Sequence, residues 1–127
     1  MDKTVFDFAD VLQDALDDGG NTHTLGDIHR AIERDEMQLW EGRDSAMVTQ
    51  IEETPRQRIL HVALAGGNLD ELEAMLPAVH AYGVHHFCTM MSLSGRRGWS
   101  RIPQMRGIPG WTTVGVTMIR PLTASLL

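Results

Sequence analysis

Apolar residues recur at helical spacing in the first part of the chain. Residues 3–18 carry five of them on one helical face, with aspartates elsewhere: Val5, Phe8, Leu12, Ala15 and Leu16. This pattern predicts an amphipathic helix that ends at the following Gly19-Gly20 pair. Thr24, with Asp27 three residues later, predicts the capped start of a second helix, which we expect to run to about Asp35.

A third helix is predicted after the glycine pair Gly66-Gly67. Asn68 and Glu71 form a variant of the capping box, and leucines, Met75 and Val79 follow at helical spacing. Pro77 lies inside this stretch and predicts a kink or an early end, whereas Gly83 predicts the helix terminus.

Strand patterns occupy most of the remaining chain. Residues 37–40 and 45–52 flank the turn-like sequence EGRD and predict an antiparallel hairpin. Residues 58–65 and 85–93 are nearly continuous in apolar side chains, which is typical of strands covered on both faces. Residues 111–122 alternate and predict a final strand, preceded by a short basic helix within 95–107.

The predicted order is therefore α-α-β-β-β-α-β-α-β. It indicates an α/β sandwich with a mixed, mainly antiparallel sheet and helices on both faces. We expect one domain over residues 1–127: a helical part (1–36), a sheet core with two helices (37–122) and a tail (123–127).

Composition is that of an ordinary globular protein, with 43% hydrophobic and 22% charged residues. No apolar run approaches the roughly 18–20 residues that cross a bilayer, and the acidic N-terminus shows no secretory signal. The single cysteine, Cys88, excludes an internal disulfide and indicates a reducing compartment.

Charge is distributed unevenly. Residues 1–73 hold all 17 acidic and six basic residues, a net of −11, whereas residues 74–127 hold five arginines and no acid. Two interpretations remain open: the basic part binds an acidic partner, or the two parts neutralise each other in the fold. The net charge of −6 argues against direct nucleic-acid binding.

The segment RILHVALAGGNLDELEAMLPAVHAYG, with HHFCTMMSLSGRRGWSRIPQMRG and GWTTVGVTMIRPL after it, resembles the central strand, cofactor loop and last elements of the GNAT N-acyltransferase fold. The family's first strand is missing or very short, and no clear seventh strand remains. LAGGNLDEL followed by GRRGW is similar to small GNAT-like proteins encoded among bacteriophage head and tail genes. This resemblance implies a virion protein.

The resemblance implies that an acyl-CoA pyrophosphate would contact Gly66, Gly67, Asn68 and Leu69. Active relatives carry Arg/Gln-x-x-Gly-x-Gly/Ala at this loop, but this chain lacks both the Arg/Gln and the second small residue. Asp70 and Glu71 place negative charge where a phosphate would bind, and they themselves stabilise the helix N-terminus. We therefore expect a tight strand-to-helix turn and no cofactor, acetyl-CoA being the cofactor only if the enzyme hypothesis holds.

The sequence offers few candidates for a general base or a general acid. If the chain is an enzyme, Glu52, Glu53 and His61 are the candidate general bases, although a core role is the favoured interpretation of His61. The resemblance implies a tyrosine acid near the fourth helix, but the only tyrosine, Tyr82, ends the preceding helix.

No metal site is expected. The spacing of His80, His85 and His86 matches no established zinc pattern. Cys88 falls in a predicted strand, without a neighbouring base in the sequence, and is interpreted as packing.

The basic segment around Gly95 and Gly98 is the candidate partner-binding site. Its arginines suit phosphate or carboxylate groups and its tryptophan suits an interface; the residues are Arg96, Arg97, Trp99, Arg101 and Arg106. The apolar tail 122–127 is a second interface candidate. The alternative is a short helix with a buried apolar stripe and solvated arginines.

Together these features predict a catalytically degenerate GNAT-like protein that serves a bacteriophage particle through protein–protein contacts with virion proteins or with itself. The alternatives are an active acetyl-CoA-dependent N-acyltransferase and a host-directed phage inhibitor. The expected location is the virion or the host cytoplasm, without membrane contact.

Overall fold

The structure is a computed structural model that describes residues 3–18, 22–94, 110–111, 120 and 122–123. Across these residues a central sheet contains, in spatial order, β1 (Gln38–Glu41), β2 (Ala46–Glu53), β3 (Arg58–Gly66) and β4 (Met90–Leu93). The first three strands are antiparallel neighbours, and β4 is parallel to β3. The predicted mixed, mainly antiparallel sheet is therefore confirmed. The predicted basic helix within 95–107 and most of the predicted strand 111–122 lie outside the described residues.

Three α-helices accompany this sheet in the described part of the chain: α1 (Ala9–Asp18), α2 (Leu25–Glu33) and α3 (Leu69–His85). A 3-10 helix, Val5–Phe8, leads directly into α1. The predicted cap of α2 is present, because the Asp27 amide donates to Thr24 Oγ1 at 3.1 Å and the Thr24 amide donates to the Asp27 carboxylate at 2.9 Å. None of these helices has the length and apolar character that crossing a membrane would require.

Each face of the sheet has its own hydrophobic core. On one face α1, α2 and the 3-10 helix pack against the strands; the buried residues include Val5, Phe8, Leu12, Leu16, Ile28, Ala46, Val48 and Leu64. On the other face α3 packs; its core includes Met47, Leu60, Val62, Leu72, Leu76 and Val79. Strand alternation sends successive side chains to opposite faces, which explains why β3 reads as continuously apolar. The predicted α/β sandwich is confirmed.

A β-bulge interrupts the pairing of β2 with β3. Val48 pairs with Leu64 and Thr49 pairs with Val62, so that Ala63 is an extra residue on β3. Both Ala63 and Leu64 pack against the core on the α1 face. A bulge bends its strand and increases the local twist, and here it lies just before the glycine turn.

The predicted end of α3 is wrong. The helix continues through Pro77 and ends at His85, with Gly83 buried inside it. Leu60 packs so closely on Gly83 that an added Cβ would lie 3.2 Å from Leu60 Cδ2. Phe87, with φ of 63°, follows the helix, and the Cys88 amide donates to the Gly83 carbonyl at 2.8 Å.

The strand predicted over 85–93 consequently begins only at Met90, because the helix-terminal carbonyls bind the backbone of residues 86–88. Helix α2, predicted to run to about Asp35, ends at Glu33, and the backbone of Asp35 is left-handed.

Candidate functional site

The two glycines of the turn after β3 are required by packing. A Cβ added at Gly66 would lie 2.3 Å from the Val11 carbonyl oxygen of α1. Gly67 has a φ of 113°, a conformation that disfavours other residues, and a Cβ there would lie 2.4 Å from Ser45 Oγ. The turn thus allows α1, β3 and the β1–β2 turn to approach one another closely.

The backbone donors at the entrance of α3 are already bonded within the protein. The Asn68 side-chain oxygen accepts from the amides of Asp70 at 2.8 Å and Glu71 at 3.3 Å. The Asn68 amide itself donates to Ser45 Oγ at 2.7 Å. Donors of this kind bind phosphate at other helix N-termini, and here protein oxygens use three of them.

The Glu71 carboxylate lies across the same entrance. It accepts from the amides of Arg43 at 2.6 Å and Asp44 at 3.0 Å and from Ser45 Oγ at 2.9 Å. The amide of Asp44, followed by the Ser45 hydroxyl, lowers the pKa of Glu71 below its ordinary value. The carboxylate therefore remains charged near neutral pH and connects α3 to the β1–β2 turn. We call Ser45, Asn68 and Glu71 the turn network.

Sequence reasoning identifies only part of the turn network. It predicts a cap formed by Asn68 and Glu71, but Glu71 bonds to residues 26 to 28 positions earlier instead of closing the capping box. It gives Ser45 no role beyond the first position of a strand. The predicted cofactor residues run from the last residue of β3, Gly66, through the turn to the first residue of α3, the exposed Leu69.

The three candidate bases do not form one site. His61 Nδ1 and Ser92 Oγ, on the parallel strand β4, share a hydrogen bond of 2.7 Å. Glu52 is exposed and accepts from the Gln50 side chain at 2.9 Å. Because successive strand residues point to opposite faces, Glu52 and His61 lie on the α1 face and Glu53 on the α3 face.

Glu53 forms an ion pair with Arg58. Tyr82 packs between Trp40 and His86, with ring centroids 5.5 and 4.1 Å away. Burial, followed by the charge of Asp35, raises the pKa of Tyr82. Its position near the C-terminus of α3 separates it by most of the helix from the glycine turn at the N-terminus.

The histidines and the cysteine do not form a cluster. His85 and His86 contact each other edge to face at 5.2 Å, and His80 is exposed. Cys88 is half-buried against the core on the α3 face. Among the residues that the structure describes, no group of three or more His, Cys, Asp or Glu side chains is placed to hold a metal ion. The partner-binding candidates Arg96, Arg97, Trp99, Arg101 and Arg106 lie outside the described residues.

The fold defines the class: an α/β sandwich with an antiparallel hairpin and third strand, joined through a crossover helix to a parallel fourth strand. No protein-family model and no curated protein matches the chain. Two crystal structures of TTHA1254 from Thermus thermophilus are similar, each with 16% identity. The wild type has a TM-score of 0.60 over 97% of this chain and 96% of that one. A point mutant has a TM-score of 0.62 over 94% and 95%. At this identity the similarity shows the fold alone.

Proposed function

We propose that this chain is a catalytically degenerate GNAT-like domain that acts through protein–protein contacts, as a structural or accessory component of a bacteriophage particle. The observation that carries the non-catalytic part is the turn network. Ser45 and Asn68 accept the hydrogen bonds of the amides that a pyrophosphate would need, and the Glu71 carboxylate occupies the same entrance.

A phosphate at this position would have two unfavourable effects. It would have to replace protein oxygens that already bond to the amides of Asn68, Asp70 and Glu71. It would also bring like charge close to the Glu71 carboxylate, whose pKa is lowered and which is therefore ionised. Both effects oppose acyl-CoA binding.

Exposed apolar side chains at the end of α3 support a role in protein contacts. Phe87 is 84% exposed and Val84 is 61% exposed. The left-handed backbone at Phe87 carries a cost of about 1–2 kcal/mol for a non-glycine residue, and the exposed ring makes little contact in return. Exposed aromatic residues are frequent anchors of protein interfaces.

Acetyl-CoA titration tests the non-catalytic part. Isothermal calorimetry with the purified full chain is expected to give no binding heat up to millimolar acetyl-CoA. Micromolar binding that is lost in Gly67→Ala, but retained in the control Gly110→Ala, would overturn the proposal. It would then favour the acyltransferase alternative, with Gly66, Gly67, Asn68 and Leu69 as the cofactor loop.

The particle assignment needs a separate experiment. Quantitative mass spectrometry of purified particles of the phage that encodes the chain should find it at a fixed copy number relative to the major capsid protein. Its absence from particles, together with its recovery in a complex with a host protein, would refute this assignment and favour the inhibitor alternative.

A further inference from the structure

An open groove of about 780 Å³ lies at the end of the sheet opposite the glycine turn. One wall is the α2–β1 connection, with Asp35 and Glu36, and the other is the C-terminal end of α3, with Tyr82 and the C-cap residue His86. Side chains of β1 and β2, including Ile51, complete the lining. We call this feature the Tyr82 groove.

The groove has an excess of negative charge. Arg58 also lines it, but its Nε donates to the His86 carbonyl oxygen at 2.9 Å and its Nη1 pairs with Glu53. Asp35 and Glu36 are exposed, and neither forms a salt bridge within the described residues. Since the charges of Arg58 and Glu53 compensate each other, two carboxylates remain available to a ligand.

The aromatic wall is held in place. The Tyr82 ring packs on His86 at 4.1 Å and against Trp40 edge to face at 5.5 Å. The bond from Arg58 to the His86 carbonyl fixes the end of α3 against β3. Burial, followed by the charge of Asp35, raises the pKa of Tyr82, so the tyrosine hydroxyl stays protonated. Aromatic groups of this kind attract cations.

The carboxylate wall is also ordered by the backbone. Asp35 has a φ of 59°, and its amide donates to the Ile32 carbonyl at 3.1 Å. The Glu36 amide donates to the Ala31 carbonyl at 2.9 Å. These bonds fix the backbone that carries the two carboxylates, so that less backbone entropy is lost when a ligand binds.

From this juxtaposition we propose that the Tyr82 groove binds a basic side chain of a partner protein, with its guanidinium or ammonium group between the carboxylates of Asp35 and Glu36 and the ring of Tyr82. The apolar lining, which includes Ile51, suits the methylene stem of such a side chain. The inference rests on the proposed role in protein contacts and specifies the chemistry of one contact.

The test uses a small peptide mimic and its neutral isostere. The amide resonances of the full chain are followed by two-dimensional NMR during titration with N-acetyl-L-arginine methylamide, and in parallel with the citrulline equivalent. The arginine probe should shift resonances of residues 35–38 and 82–86, with at least about tenfold stronger binding than citrulline. Equal binding of both probes, or shifts confined to other residues, would overturn the proposal. Shifts of these residues by inorganic phosphate alone would also overturn it, because Arg58 would then define an anion site.

Paired variants test the carboxylates directly. Asp35→Asn with Glu36→Gln should weaken the arginine probe about three- to tenfold, and asparagine tolerates the left-handed backbone at position 35. Asp10→Asn with Asp14→Asn removes the same charge from exposed positions of α1 and should leave binding unchanged. Equal weakening in both pairs would overturn the proposal, because net charge alone would then attract the probe. The acetyl-CoA titration is independent of this groove, so failure here leaves the non-catalytic proposal standing.

Discussion

Ser45→Ala is the substitution that most directly tests whether the turn network holds the glycine turn. Ser45 is fully buried, and its hydroxyl accepts from the Asn68 amide at 2.7 Å and donates to the Glu71 carboxylate at 2.9 Å. Alanine keeps the Cβ and removes one oxygen, so the packing against Gly67 is retained. The main loss is the acceptor of the Asn68 amide.

The bond between the Asn68 amide and Ser45 Oγ is partly buried, and an amide that loses its acceptor away from water costs about 1–3 kcal/mol. Glu71 retains two backbone donors, from Arg43 and Asp44, and should add little to this loss. For 127 residues the entropy of unfolding is about 0.27 kcal/mol/K, so the midpoint of thermal unfolding should fall by about 4–11 °C.

Urea unfolding followed by far-UV circular dichroism measures the change in the free energy of unfolding, and an unchanged m-value would show that the unfolded state is unaffected. Thr54→Ala is the matched control, because the Thr54 hydroxyl also makes two hydrogen bonds, both to the backbone of Gln57, but in an exposed turn. We expect a loss below about 1 kcal/mol there. If Ser45→Ala costs no more than Thr54→Ala, the turn network does not hold the turn and does not oppose phosphate binding there.

Three further predictions concern Glu71, Gly67 and Phe87. Because the pKa of Glu71 is lowered in the fold, its ionised carboxylate stabilises the protein at pH values above the ordinary pKa of 4.5, and this stabilisation is lost as the pH falls through the folded-state pKa. Glu71→Gln should therefore flatten the profile of stability against pH from about pH 6 to about pH 3 in urea titrations, and an unchanged slope would contradict this. Gly67→Ala should lower the free energy of unfolding by about 2–5 kcal/mol, because of backbone strain and the clash with Ser45. The control Gly110→Ala, with a φ of 96° and no atom within 4 Å of the added Cβ, should cost only about 1–2 kcal/mol. Equal losses would exclude the clash. Phe87→Gly should stabilise the fold by about 0.5–1 kcal/mol in thermal unfolding, because glycine removes the strain at a φ of 63° and the exposed ring contributes little. A destabilised variant would show that the ring packs within the chain.

The tertiary contacts of the glycine turn supply the physical reason for its two glycines. In the sequence, the strand, glycine pair and helix resemble a phosphate-binding layout, but the missing basic residue and the acids Asp70 and Glu71 predict a tight turn without a cofactor. In the structure, Gly66 and Gly67 are explained by the proximity of Val11 and Ser45, and the helix donors are bonded to side chains. The same residues that resemble a cofactor loop thus form a stable junction among α1, the β1–β2 turn and α3.

The sequence by itself determined the elements whose causes are local. Helix periodicity predicts α1 and α2, and the Thr24–Asp27 pair predicts the cap of α2. Strand patterns on both sides of a turn-like sequence predict the hairpin, and a nearly continuous apolar run predicts β3. Sequence reasoning fails where distant contacts decide the conformation. Gly83 reads locally as a terminator, but its missing side chain allows α3 to pack on Leu60, and the helix carbonyls then bind residues that the apolar pattern assigns to a strand.

Tertiary structure alone decided the chemistry of the candidate sites. Ser45 and Glu71 are 26 positions apart and meet only because the β1–β2 turn and the start of α3 lie at the same end of the sheet. Asp35 and Tyr82 face each other across a groove for the corresponding reason at the opposite end. A hydrogen bond or ion pair acts over a few ångströms in space and leaves no periodic signal along the chain, which is why these pairings required the fold.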